Sequence, residues 1–505
     1  MGPLRHLPLI VVLLGVAGLA MLAPAIHALT LGKIALAGVF GQSALLTLTG
    51  AAVLAAATAG YRPRYAGRSQ ILSLVAAYLL LPPVLAWPLA QAMPQLGYSA
   101  AWFEMVSSLT TTGASLLPPG VRTPQPVHLW NALVGWLGGL LVLVAAAALL
   151  APLNLGGLEV ANPRPVGRPA QAASPIHGGV EAGARLALTL RLLAPAYAGL
   201  TLALWVGLLL AGQTGLPALA HAMGTLSTSG ISPVGGLERA GSGRLGEALI
   251  LGFLVFAITR RALPGGRMPD SARRFHHDEE VRLAVVLVVG LAALLTVRHW
   301  VVAMGEGEAE GVATALRTFW ARLFTLGSFL TTTGYIAGDW REAFGWSGLR
   351  PPALLLAGVA MVGGGVATTA GGIKLLRILA LYRQGRHEVE RLLDPALIAG
   401  GGARARHLRS DGAYLAWVAF MLFLLSLCGG VAALALAGLG FEPALLLTIS
   451  ALTTTGPLAL AAGSVDYSWA RLDEGPRAIL AVIMVLGRLE LLAVVALLVP
   501  ESWRR

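Results

Sequence analysis

Cysteine occurs once, at Cys428, so the chain has no disulfide and no cysteine-based metal cluster. Charged residues make up only 12% of the 505 residues, and the mean hydropathy is +0.75, which excludes an ordinary soluble domain. Acidic side chains and histidines are nearly absent from the apolar runs. A multispan membrane enzyme would need them clustered at membrane depth, so an enzyme is the disfavoured rival and no catalytic residues or bound cofactor are expected. What the chain has instead is 56% hydrophobic residues. Runs of about 20 apolar residues, long enough to cross a bilayer as a helix, fall at roughly 8–28, 34–59, 70–93, 129–151, 186–211, 245–263, 280–302, 352–376, 414–438 and 477–499. About ten spans are expected. The first, after Arg5 and His6, has the form of a cleavable signal, and the reading adopted is that it is retained.

The net charge of +12 is distributed unevenly. Arg62, Arg64 and Arg68 follow the second span, Arg164, Arg168 and Arg185 flank the linker after the fourth, and Arg260, Arg261, Arg267, Arg273 and Arg274 follow the sixth. Arg377, Arg383, Arg386, Arg391, Arg404, Arg406 and Arg409 follow the eighth, and Arg504 and Arg505 close the chain. Every second connection is therefore basic, and the positive-inside rule puts both termini in the cytoplasm. The connection "GEGEAEG" (305–311) is acidic and reads as external. The basic residues act as topology signals toward the membrane lipid, and no nucleic-acid partner is expected.

One motif recurs. "LTTTGAS" (Leu109–Ser115) returns as "LSTSGIS" (Leu226–Ser232), "LTTTGYI" (Leu330–Ile336) and "LTTTGPL" (Leu452–Leu458), with the glycines 117, 104 and 122 residues apart. Each copy follows a short amphipathic segment of about a dozen residues, too short to span, and each is flanked by full spans. The fold expected is an all-α polytopic membrane protein built of four tandem units of span, pore helix, loop and span, with two additional N-terminal spans. The expected boundaries are 1–68 for the two N-terminal spans, then 69–155, 185–265, 280–385 and 412–505 for the four repeats. Non-helical backbone at membrane depth survives only where protein buries it or where it lines a water-filled cavity, so four such loops converging on one axis make the plan of a pore.

A dehydrated cation in a membrane needs oxygen dipoles in place of its water shell, and rings of backbone carbonyls supply them in potassium channels. Glycine adopts the positive φ that such loops demand without steric cost, and threonine hydroxyls add oxygen ligands or hold the loop to its helix. The candidate ion-binding residues are Thr111, Thr112 and Gly113; Thr228, Ser229 and Gly230; Thr332, Thr333 and Gly334; and Thr454, Thr455 and Gly456. No carboxylate lies in these loops, which argues against a divalent-cation site of acidic rings.

Together with "WNALVGWLGG" (Trp130–Gly139), "GGGVATTAGGIKLLR" (Gly363–Arg377) and "MVLGRLELL" (Met484–Leu492), these loops make the chain resemble the Trk/Ktr/HKT superfamily of potassium transporters over essentially its whole length. It is most similar to the bacterial Trk-type pore-forming subunit. The resemblance implies potassium uptake with K+ as the transported ion, and a filter of one glycine per repeat at Gly113, Gly230, Gly334 and Gly456. Glycine at the first of these positions implies potassium; a sodium-conducting or weakly selective member of the superfamily is the nearer alternative. The resemblance also implies a homodimer in the bacterial inner membrane, regulated by a separate cytoplasmic ring that binds nucleotide and docks on basic connections such as Arg377–Arg409.

The glycine-rich stretch at 363–377 is no phosphate loop, since Ala370 stands where the second glycine is required and Lys374 lacks the adjoining Gly and Ser/Thr. It reads as a broken helix on the transport path, or else as a small-residue packing surface. The resemblance implies an intramembrane gate there, formed by Gly363, Gly364, Gly365, Gly371 and Gly372. Lys374 is expected to join this gate or to snorkel. Arg488 lies about twelve residues into the last span, near mid-membrane, where ionisable groups face a cavity or a partner. It is expected to face the pore below the filter, or else to pair with another helix.

Overall fold

The computed structural model describes residues 8–58, 60, 66–151, 157, 182–260, 278–305, 312–340, 352–393, 403–461 and 468–490. Half of the arginines used above to orient the chain, the acidic connection at 306–311 and residues 491–499 of the last expected span lie outside these residues. Among the described residues there is no strand, and seven helical stretches are long and apolar enough to cross a membrane: Leu9–Thr30, Ile34–Thr58, Leu72–Ala92, Gln125–Leu150, Arg185–Leu210, Glu279–Val301 and Gly412–Leu436.

Helices α1 (Leu9–Ala20) and α2 (Leu22–Thr30) form the first crossing and α3 (Ile34–Thr58) the second. Both pack beside the first repeat, which comprises α4 (Ala66–Ala92), α5 (Tyr98–Leu109) and α6 (Gln125–Ala145). The second repeat holds α7 (Ala182–Leu210), α8 (Gly215–Ser227), α9 (Gly243–Phe253) and α10 (Val255–Ile258). The third holds α11 (Glu279–Gly305), α12 (Val312–Leu330), α13 (Pro352–Val362) and α14 (Leu375–Leu393). The fourth holds α15 (Ala403–Leu436), α16 (Phe441–Leu452), α17 (Leu458–Ala461) and α18 (Glu474–Arg488).

The re-entrant helices α5, α8, α12 and α16 each end at a Thr-Gly loop. Each packs against the outgoing helix of the preceding repeat: α6 on α8, α9 on α12, α13 on α16, and α18 back on α5. The last contact closes the circle, so the four units surround a common axis.

Besides the first crossing, which is divided at Met21 between α1 and α2, three of the ten expected spans are not single helices. The run at 245–263 breaks at Leu254 between α9 and the four-residue α10. The run at 352–376 stops at Val362, where Gly363 takes φ 76° and opens a loop that lasts to Lys374. The run at 477–499 begins as α18, which ends at Arg488 with Glu490 at φ 62°. The backbone groups freed by these breaks are met across repeats: the carbonyl of Ala257 in α10 accepts hydrogen bonds from Gly365 N (3.0 Å) and Thr368 Oγ1 (2.9 Å). Hydropathy alone cannot register such breaks, because a broken span is as apolar as an unbroken one. The re-entrant helix α12 is also longer than expected, at 19 residues.

Candidate functional site

Each re-entrant helix is terminated by a threonine in the left-handed region. Thr111, Thr228, Thr332 and Thr454 have φ of 55°, 55°, 58° and 55°. A β-branched residue resists this conformation, and holding one there costs about 1 to 3 kcal/mol. Four repetitions at equivalent places mark a turn imposed by the surrounding structure. Sequence reasoning assigns the positive φ to the glycines alone; it holds for Gly113 (72°), Gly230 (63°) and Gly334 (80°), but Gly456 does not share it.

The turn sends the next amides back to the helix that precedes them. Thr112 N and Gly113 N both donate to Ser107 O at 2.8 and 3.4 Å, Ser229 N and Gly230 N to Gly224 O at 2.9 and 3.5 Å, and Thr333 N and Gly334 N to Ser328 O at 2.9 and 3.2 Å. In a trans peptide the N–H and C=O point in opposite directions. The carbonyls of Thr111, Thr112, Thr228, Ser229, Thr332 and Thr333 are therefore turned away from their own re-entrant helices. The outer hydroxyls of each triplet pair with one another: Thr110 with Thr112 at 2.8 Å, Ser227 with Ser229 at 3.0 Å, Thr331 with Thr333 and Thr453 with Thr455 both at 3.1 Å.

The fourth loop departs from this pattern. Thr455 N donates to Ser450 O at 2.8 Å as the pattern requires. Gly456 N instead donates to Thr112 O of the first loop at 2.6 Å, and Thr455 O accepts from Ser450 Oγ at 2.7 Å. The Thr455–Gly456 peptide is thus reversed relative to its three counterparts.

The loops also touch in sequence around the axis. A Cβ added to Gly113 would run into the carbonyl oxygen of Ser229, one on Gly230 into that of Thr333, one on Gly334 into the ring of Pro457 at 3.0 Å, and one on Gly456 into Ala114. Each glycine is where it is because the neighbouring loop leaves no room for a side chain.

On the helix side of these loops lies the segment 363–374. Gly371 N donates to Thr332 Oγ1 (2.7 Å), Thr228 Oγ1 donates to Thr369 O (2.9 Å), and Thr369 Oγ1 donates to Leu226 O (3.2 Å). Two of the left-handed threonines thus carry hydroxyls that grip this segment, a role that no sequence signal assigns. Gly371 is packed so tightly that a Cβ would meet the carbonyl of Thr453. Gly363, Gly364, Gly365 and Gly372 fold back on one another and on α10 in the same small volume.

Arg488, buried at 8% exposure, donates from Nη1 to Thr369 O at 2.6 Å, while its Nε and Nη2 have no hydrogen-bond partner among the described residues. The hydrogen bond from Nη1 thus goes to the backbone of the 363–374 segment. Lys374 is buried at 7% exposure and its Nζ donates to Ala370 O, so it does not snorkel. A cavity of about 70 Å³ lies against the segment, lined by Ala370, Lys374, Arg377, Phe423, Arg488 and Glu490 among others.

Glu490, which shares no helical face with Arg488, pairs instead with Arg377 at 2.8 Å, and both side chains are largely buried. Breaking a buried pair from one side strands a charge at a cost of about 3 to 5 kcal/mol. Glu490→Leu is accordingly expected to lower the unfolding temperature in detergent, followed by tryptophan fluorescence, and Arg377→Met in the same chain to recover most of the loss. An unaltered melting profile for Glu490→Leu counts against the pairing.

Four re-entrant loops closed into one ring within a multi-pass helical membrane protein define a membrane transport protein. A family model described as TrkH, a cation transport protein, matches residues 254–504. The Trk system potassium uptake protein TrkH of Halomonas elongata is 28% identical over 414 residues, covering 80% of this chain and 79% of that protein. The Trk system potassium uptake protein TrkH of Escherichia coli K12 is 26% identical over 412 residues, covering 81% and 80%. The crystal structure of the potassium transporter TrkH from Vibrio parahaemolyticus matches at a TM-score of 0.78 with 25% identity, over 100% of both chains. Residues 254–504 thus carry a TrkH cation-transport domain, and the chain is similar over most of its length to Trk potassium uptake proteins, which are transporters and not enzymes.

Proposed function

We propose that this chain takes up potassium across the bacterial inner membrane, with the four Thr-Gly loops as its selectivity filter and the segment 363–374 as its gate. The observation that carries the reading is the closed circuit of glycine contacts, which brings the carbonyls of four loops to one axis. Oxygen dipoles in that arrangement replace a monovalent cation's hydration shell. The ligands are the carbonyls of Thr111, Thr112, Thr228, Ser229, Thr332, Thr333 and Thr454, with Thr455 and the four glycines completing the loops. Gly363, Gly364, Gly365, Gly371, Gly372, Lys374 and Arg488 form the gate. Both termini are cytoplasmic, the protein is a homodimer, and a nucleotide-binding ring subunit docks on its cytoplasmic face. The relatives' name, a Trk system, supports a multi-subunit assembly.

One observation favours the alternative of a weakly selective or sodium-conducting carrier. The reversed Thr455–Gly456 peptide turns the Thr455 carbonyl back to Ser450 and sets the Gly456 amide on Thr112 O, so the level of Thr112, Ser229 and Thr333 lacks its fourth carbonyl and one of the other three already accepts a hydrogen bond. Potassium against sodium flux in proteoliposomes decides between the two.

The filter reading is tested by Gly113→Ser. Serine at φ 72° is strained, and its Cβ would displace the Ser229 carbonyl. The variant is expected to lose roughly tenfold in potassium-over-sodium preference, about 1.4 kcal/mol of discrimination, through displacement of the Ser229 carbonyl from the ring. It should also fail to support growth of an uptake-deficient bacterium on limiting potassium. Unchanged selectivity at normal protein levels removes Gly113 from the filter.

A further inference from the structure

Nine residues ahead of the four filter glycines stand Glu104, His221, Thr325 and Leu447, all buried on the re-entrant helices. The first three reach the same short stretch of chain just beyond the glycine. Glu104 Oε1 accepts from Ser115 Oγ (2.7 Å) and its Oε2 from Leu116 N (2.7 Å), two and three residues past Gly113. His221 Nε2 meets Ser232 Oγ at 2.8 Å, two residues past Gly230. Thr325 Oγ1 accepts from Ala337 N at 3.1 Å, three residues past Gly334.

The chemistry differs and the task is the same. His221 Nδ1 lies 2.9 Å from Gln213 Oε1, and Gln213 Nε2 donates to Ser242 Oγ (2.8 Å). Nδ1 is therefore the protonated nitrogen, and Nε2 is left as an acceptor for the Ser232 hydroxyl. Glu104 is likewise only an acceptor, since Asn131 Nδ2 also donates to its Oε1 (2.5 Å) and Asn131 is fixed in turn by Ser108 Oγ donating to Oδ1 (2.5 Å).

Leu447 offers no acceptor, and its repeat needs none. Beyond Gly456 the chain turns at once into α17, where Leu458 N donates to Thr455 O (3.0 Å) and Ala459 N to Gly456 O (3.3 Å). Trp469 Nε1 donates to Gly456 O from outside (3.1 Å). This is also the repeat whose filter peptide is reversed.

We infer that this helix position is a positioning site for the filter: Glu104, His221 and Thr325 anchor the exit arm of three loops by accepting hydrogen bonds from it, and its lack of an acceptor in the fourth accompanies the reversed peptide there. The inference rests on the filter reading given above. None of these residues touches the ion. They act by fixing the carbonyls that do.

Three donors converge on Glu104, so Glu104→Gln turns an amide NH2 toward a donor in either orientation. The variant is expected to lose roughly threefold to tenfold in potassium-over-sodium flux ratio, the effect of one charge-assisted hydrogen bond. Adding Asn131→Asp should restore the ratio. The carbonyl of the introduced amide then accepts from Leu116 N, its NH2 donates to the new carboxylate and to Ser115, and Ser108 still finds an acceptor.

Thr325→Val, nearly isosteric, should lower the ratio by a smaller factor and serves if Glu104→Gln is not recovered folded. Gly113→Ser is measured in parallel. If Gly113→Ser shifts selectivity while folded Glu104→Gln and Thr325→Val do not, the positioning role is overturned and the filter stands. If Glu104→Gln shifts it and Asn131→Asp gives no rescue, the effect is one of packing and the inference also falls. If Gly113→Ser leaves selectivity intact, the filter reading itself has failed.

Discussion

Arg488→Ala is expected to raise basal potassium flux by roughly tenfold or more. A unit charge about 8 Å from a passing cation, at an effective dielectric constant of about 20, opposes it by about 2 kcal/mol, a factor of about thirty. The guanidinium is buried, two of its nitrogens have no hydrogen-bond partner among the described residues, and it shares its cavity with Lys374. The third cation on that cavity, Arg377, is neutralised by its pair with Glu490. Removing Arg488 also leaves the Thr369 carbonyl held by Thr228 Oγ1 alone. Arg488→Lys keeps the charge and should stay near the parent's flux. Proteoliposome uptake without any cytoplasmic partner measures both. Flux that vanishes in a folded Arg488→Ala protein would show that the residue supports the structure and is no barrier.

Much of this architecture could be read from the chain. Four copies of one heptapeptide at intervals near a hundred residues, each behind a segment too short to cross, point to the repeat and to the convergence of the loops. The break in the third outgoing helix is legible in the glycines that follow Val362, but the break in the second escapes such reading, for a physical reason. Ala257 can leave its helix only because Gly365 and Thr368, more than a hundred residues away, satisfy its carbonyl. No local signal encodes that.

The left-handed threonines escape as well, since a β-branched residue is a poor candidate for positive φ by its own preference. The reversal at Gly456 could not be read from "LTTTGPL", whose first five residues match those of two other copies. The pairing of Arg377 with Glu490 joins α14 to the residue just beyond α18, which no spacing relates.

Excising Gly363, Gly364 and Gly365 is expected to give the other large effect: high flux that no longer responds to the cytoplasmic partner. The segment sits on the helix side of the filter, held by Arg488 and Glu280 and by neutral bonds from Gly365 N and Thr368 Oγ1 to Ala257 O, Gly371 N to Thr332 Oγ1, Thr369 Oγ1 to Leu226 O and Thr228 Oγ1 to Thr369 O. Each neutral hydrogen bond of this kind contributes about 1 kcal/mol net, so together they suit a part that must be released by a partner's differential affinity. A chain three residues shorter cannot reach all of them. Gly371→Val is the milder version, since its side chain would collide with the Thr453 carbonyl and unseat the segment without shortening it. Uptake with and without the partner reads both variants. A folded excision variant that conducts at the normal rate and remains regulated would reduce the segment to helix packing.

Because one polypeptide supplies all four sides of the ring, a substitution in it alters a single quadrant, whereas in a channel assembled from four identical subunits it would alter every one. Damage can therefore be graded, and each quadrant is free to drift under its own selection. The reversed fourth loop, bonded to Thr112 and braced by Trp469, is such a quadrant: a specialisation that four copies of one gene product could not confine to one side.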